Sequence, residues 1–212
     1  MELTARAALP LRAAALAALV SCWTGGLLAG CGSPPTQVKG PVQDLPLTVE
    51  QIPFPGFEVE AHSSHAGYYS NRRLAAGDSA QLQALDRAGR ETGFERDFTR
   101  AASPVQAVGP VVIESSVSLY RNASGAGQGL KLLGRQLVGA GATPISTGTL
   151  GQAVLGYVLQ KPLNGVAYDS FIIAWRQANA VAVIQAEGTA ATMDVQYALQ
   201  LARIQQRRLE RG

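Results

Sequence analysis

The chain has 212 residues, 47% of them hydrophobic and 16% charged, with a mean hydropathy of +0.07. Those values exclude a disordered chain, which lacks the apolar surface to fold, and a polytopic membrane protein, which needs long uncharged spans. A formal charge of +3, from 18 basic and 15 acidic side chains, is a small surplus rather than the clustered basic face of a nucleic-acid binder.

The first element in chain order is a leader. Arg6 and Arg12 precede an uncharged run from Ala13 to Gly30, AAALAALVSCWTGGLLAG, which is polar only at Ser21 and Thr24. A basic start, an apolar middle and small residues at the end are the parts of a secretory signal peptide. Gly25-Gly26 and the prolines just after Cys31 argue against reading the same run as a retained membrane span. Leu28-Ala29-Gly30-Cys31 resembles the lipobox of bacterial lipoprotein precursors: apolar, small, small, cysteine. The resemblance implies a diacylglycerol on the Cys31 sulfur and cleavage between Gly30 and Cys31. Two acyl chains, palmitate among the usual ones, would then anchor the protein on the extracytoplasmic side of a membrane. Gly32 stands where an inner-membrane retention Asp often sits in enterobacterial lipoproteins, and the choice of inner or outer membrane stays open.

Cysteine usage narrows the chemistry. Cys22 leaves with the leader and Cys31 becomes a thioether, so no thiol is expected for a disulfide, a Cys nucleophile or a zinc–thiolate site. Gly32 to Pro46 holds four prolines and two glycines and reads as an extended tether. The expected organisation is therefore a signal peptide over 1–30, a Pro-rich tether over 31–46, and a single domain over 47–212. That domain is long enough to bury ~70% of its unfolded-chain surface without metals or disulfides.

Within the domain, Phe57–His62 (FEVEAH) alternates apolar and polar residues as a half-buried strand does, and HSSHAGYYSN reads as a loop. Asp78 or Ser79 caps a helix to about Thr92, with Gly93 past its end. Phe94–Arg100 is a second strand, and Val111–Tyr120 a third, with Val111, Ile113, Val117 and Leu119 on one face. Asn122 or Ser124 opens a small-residue helix that ends near Gly139 or Gly141. Three further strands follow at Ala153–Gln160, Tyr168–Arg176 and Val181–Glu187, the last two close enough for a hairpin. A final helix runs from about Ala190–Thr192 to Leu209, with Val195, Ala198, Leu199, Ala202 and Leu209 as its apolar stripe and Arg203, Arg207, Arg208 and Arg211 in its last turns. The order β-α-β-β-α-β-β-β-α gives an α+β fold: one mostly antiparallel sheet of about six strands covered by about three helices. This order resembles the Mog1/PsbP-like α/β sandwich of small bacterial lipoproteins, a likeness of element order with no site residue attached to it.

Candidate chemistry is sparse. His62-Ser63-Ser64-His65 pairs the chain's two histidines in a loop, short of the three protein ligands of a catalytic zinc. No metal and no cofactor is expected. Gly125-Ala126-Gly127-Gln128-Gly129 lies where a phosphate loop would sit. Its spacing is not GxGxxG and no parallel strand follows, so close helix packing explains it more simply. The pairs Glu58/Glu60 and Glu91/Glu95 read as solvated faces rather than acid–base dyads. No catalytic residue is assigned. Tyr68, Tyr69, Trp175 and Arg176 are the candidate ligand or partner contacts, with Trp175 as core the competing reading.

The expectation is a non-enzymatic, lipid-anchored envelope protein that binds a small or lipidic ligand in a Leu/Val-lined crevice between helix and sheet, with the membrane as a partner through Cys31 and no nucleic acid. Two rivals stand beside it. One is an accessory subunit that docks another envelope protein through a sheet edge or through Arg203–Arg211. The other is a hydrolase whose cleft joins His65 and Tyr68 to Asp169.

Overall fold

A computed structural model describes residues 37–61, 63–100, 108–163 and 165–211. The leader, Cys31 and His62 lie outside the described residues.

Eight strands form one open sheet. β1 (Phe57–Val59) and β2 (Gly67–Tyr68) both pair with the outer side of β3 (Arg90–Arg100). From β3 the sheet continues through β4 (Val112–Tyr120), β8 (Ala180–Thr189), β7 (Val166–Gln177) and β6 (Ala153–Leu163) to β5 (Thr143–Pro144), every neighbouring pair antiparallel. The helices are α1 (Asn71–Leu74), α2 (Ser79–Arg87), α3 (Ala123–Gly139) and α4 (Val195–Arg211). The α+β architecture with one antiparallel sheet is as the sequence pattern indicates. Elements of two to four residues (β2, β5, α1) are too short to leave a period in the sequence.

Alternation along the strands divides the sheet into two faces. Ile113, Val117, Ile173, Trp175, Ala182 and Ile184 point to one face, where they pack with Ala198, Leu199, Leu201, Ala202 and Leu209 of α4. Tyr120, Ala174 and Val181 point to the other, against Ala126 and Leu130 of α3 and Ala88 after α2. The helices thus lie on both sides of the sheet. α3 carries the chain from β4, near the middle, to the β5–β6 edge, and β6, β7 and β8 then fold back as a meander to pair with β4.

Three expectations are corrected. First, the part of the tether that is described does not run free. Val38, Val42, Leu45 and Leu47 are buried in the α4-side core. The Val38 N–H donates to Asn179 Oδ1 at 2.8 Å, and the Leu47 N–H donates to Ser115 Oγ at 2.9 Å. Second, α2 stops at Arg87 rather than Thr92. Gly89, with φ +69°, makes the left-handed turn that lets Arg90 start a strand. Gly93 is a strand residue pressed under Tyr69, where a Cβ would lie 2.5 Å from the ring. Third, Arg208 is not part of a free basic end: it donates to Gln51 Oε1 at 2.8 Å and to the Asp44 carbonyl, clasping the N-terminal segment to α4.

Candidate functional site

α3 forms because its ends are capped and one side is apolar. Asn122 Oδ1 accepts the Gly125 N–H at 2.8 Å, and Ala126, Leu130 and Leu133 face the sheet. Its glycines set how closely it lies. A Cβ at Gly125 would stand 2.0 Å from the Ala88 carbonyl oxygen, and one at Gly129 would stand 2.1 Å from Tyr120 Oη. The small-residue cluster is therefore a packing device on this flank. On the flank toward β6, an open-sided groove of about 1080 Å³ runs between helix and sheet.

One wall of the groove is α3, through Gly127, Leu130, Lys131, Gly134 and Arg135. The other is the start of β6, Ala153, Val154 and Leu155, with Tyr157 further along and Arg176 of β7 at the end beside Ala123. Arg176 is held there by a hydrogen bond to the Ala123 carbonyl, 3.4 Å from Nη1. The lining is mostly carbon. Its charged groups are three cations, and it contains no carboxylate, histidine or cysteine.

A second cavity of about 200 Å³ lies between the sheet, α2 and the other flank of α3. It is chemically the opposite. Glu95 of β3 and Glu114 of β4 line it together with Ser116, Ser118, Tyr120 and Gln185. Burial pushes the Glu95 carboxyl up to about 8, helped by the charges of Asp97 and Glu114 and opposed by Arg73. Burial likewise raises Glu114 to about 7, with Asp97 and Glu187 adding to it and Lys161 opposing. Asp97 is 4% exposed. Its Oδ2 accepts the Ser63 hydroxyl, while its Oδ1 has no partner among the described residues. At the far end, Tyr120 Oη is raised by burial to about 12, against the pull of Arg90. The reading of Glu91 and Glu95 as solvated residues at a helix end is overturned for Glu95, because both belong to β3 and α2 covers that part of the strand.

The four sequence candidates separate. Trp175 is fully buried under α4; its position in the strand sends it into the core. Tyr69 is also buried. Its hydroxyl is 3.0 Å from Ser118 Oγ, the Arg90 guanidinium lies 4.5 Å from its ring centroid, and it lines the smaller cavity. Tyr68 is exposed, set edge-on to Phe94 and donating to Gln43 Oε1 at 2.5 Å. Arg176 alone reaches the groove. Asp169 accepts from Gln160 Nε2 at 3.0 Å on β7, four strand positions from Tyr68 on β2, or ~19 Å at the usual spacing. The proposed hydrolase cleft joining Tyr68 to Asp169 is thus not assembled.

Lys131, Arg135 and the β6 wall were missed from sequence, yet a signal is present. Residues 115–168, which include all of α3 and β6, contain no Asp or Glu at all.

No protein-family model matches the chain, and no curated protein matches it. Among solved structures, the fold is similar to that of the extracellular domain of PknH from Mycobacterium tuberculosis, with TM-score 0.54, 8% identity, and coverage of 79% of this chain and 94% of that one. At that identity the likeness establishes a shared fold.

Proposed function

We propose that the protein is a lipid-anchored, extracytoplasmic binding module that holds an apolar ligand in the groove between α3 and β6. The observation that carries this reading is the groove itself. It is an open space of about 1080 Å³ walled by Leu130, Leu155 and Tyr157, just above the ~300–1,000 Å³ in which ligand sites fall. Such a wall left in water is costly at ~25 cal/mol per Å² of apolar surface, and a ligand chain removes that cost. The lipobox at Leu28–Cys31 supports the anchor, and the likeness to an extracellular domain agrees with an extracytoplasmic setting. Binding is favoured over catalysis because the hydroxyls along the groove, Ser124 and Tyr157, have no histidine or carboxylate among the groove's lining residues to activate them.

The test is native mass spectrometry of the protein released from the envelope of the cells that make it. The wild type is expected to carry a reproducible added mass. Gly127→Trp, which fills the groove from a position whose nearest neighbour is Arg176 Cδ at 3.9 Å, is expected to be bare. A bare wild type, or an added mass equal in both, contradicts the reading.

A further inference from the structure

We infer that the ligand of the groove is an anionic amphiphile whose apolar chain lies along Leu130, Leu155 and Tyr157 and whose acid group is drawn in by the cations that border the groove, Lys131, Arg135 and Arg176. This rests on the groove being the binding site and adds the chemical class of what binds.

Charge complementarity carries the inference. The groove has three cations and no acid in its lining, and none of the three is neutralised from within. The single ion pair among the described residues, Lys161 with Glu187 at 3.9 Å, lies elsewhere. Among the described residues Arg176 makes one hydrogen bond, to a backbone carbonyl, leaving the rest of its planar fork for a carboxylate or phosphate, which guanidinium groups bind through two parallel bonds. Lys131 and Arg135 stand one turn apart on the crest of α3, and Arg87 of α2 joins them on its far side. No Asp or Glu occurs anywhere in residues 115–168, so the segment that builds α3 and β6 adds no negative charge to the groove.

The acids collect instead in the neighbouring cavity, at Glu95 and Glu114. That cavity has no Lys or Arg in its lining, whereas the β6 flank has three cations, which distinguishes two cavities under one helix. Length agrees as well. The 17 residues of α3 span about 25 Å at 1.5 Å per residue. One acyl chain needs about 15 Å, half of a bilayer's hydrocarbon thickness.

The experiment uses Pro34–Gly212, a compact unit with its own core, titrated calorimetrically with monomeric hexadecyl phosphate, hexadecan-1-ol and hexadecyltrimethylammonium. The phosphate is expected to bind at least tenfold more tightly than the alcohol at low salt, with the advantage shrinking at high salt. Lys131→Gln/Arg135→Gln alters two exposed side chains that hold no structural bond, and a melting curve checks its fold. It is expected to weaken the phosphate about tenfold and leave the alcohol unchanged. Equal binding of alcohol and phosphate, tightest binding of the ammonium, or an undiminished phosphate advantage in Lys131→Gln/Arg135→Gln/Arg176→Gln overturns the inference while leaving the groove intact as a site. Failure of all three probes to bind overturns the groove reading and the inference together.

Discussion

Asn179 binds Val38 across 141 residues of sequence: its Oδ1 accepts the Val38 N–H at 2.8 Å, while its Nδ2 donates to the Tyr120 carbonyl at 2.9 Å. One buried amide at the β7–β8 turn therefore holds both the entering chain and the end of β4. Asn179→Ala leaves a buried N–H and a buried C=O without partners, at a cost of about 2 kcal/mol. The expected result is a lower denaturant midpoint and faster proteolytic cleavage within 37–46. Unchanged cleavage there contradicts the docking of this segment.

Ser115 and Gln205 make a comparable tie in the α4-side core. Ser115 Oγ donates to Gln205 Oε1 at 3.0 Å while accepting the Leu47 N–H, and Gln205 Nε2 donates to the Ser116 carbonyl at 3.2 Å. Both side chains are fully buried. Ser115→Ala strands two partners and is expected to cost about 2–3 kcal/mol, measured by urea unfolding. A loss below about 0.5 kcal/mol would show that the network carries little of the fold.

The buried carboxyls make stability depend on pH in a defined direction. Glu95 and Glu114 have folded-state values raised to about 8 and about 7 from 4.5. The folded protein therefore holds more protons than the unfolded chain between those values. Stability from these groups is complete below about pH 4.5 and is lost as pH rises through 7 and 8. Glu95→Gln and Glu114→Gln are each expected to raise the melting temperature at pH 8.5, leave it little changed at pH 4.5 and flatten the profile between. A profile of unaltered slope in the double variant contradicts the assignment.

Glycines of α3 should respond oppositely to the same change. Gly139→Ala meets nothing within 4 Å and is expected to stabilise by about 0.5–1 kcal/mol through helix propensity. Gly125→Ala and Gly129→Ala drive a methyl into the Ala88 carbonyl and the Tyr120 hydroxyl, and are expected to destabilise by about 2 kcal/mol or more despite the same propensity gain. Thermal unfolding of the three variants decides it.

The lipid anchor has its own check. Cys31→Ser is expected to remain an unprocessed, slower-migrating precursor that incorporates no radiolabelled palmitate in the producing bacterium. Labelling equal to wild type overturns the lipobox reading.

What could be read beforehand was whatever repeats with a period. Val111, Ile113, Val117 and Leu119 recur on one face of the β4 segment, so the burial of Ile113 and Val117 follows from spacing alone. Val38, Val42 and Leu45 sit among prolines and glycines, where composition suggests a linker and only the tertiary fit of each side chain under α4 reveals a docked strap. Glu95 reads as solvated because acids usually are, and its cover by α2 and α3 depends on how the helices fold back on the sheet, which spacing does not encode. The groove is a gap between elements, which no periodicity encodes. Its polarity was legible as the missing acids of residues 115–168.

The most direct test of the central claim is to locate a bound chain. With methyl-labelled Pro34–Gly212 and hexadecan-1-ol, intermolecular NOEs are predicted to Leu130, Val138 and Leu155, the methyl-bearing groove wall. NOEs confined to Leu85, Leu132 and Val183, which line the smaller cavity, would place the ligand on the acidic flank of α3 and contradict the account.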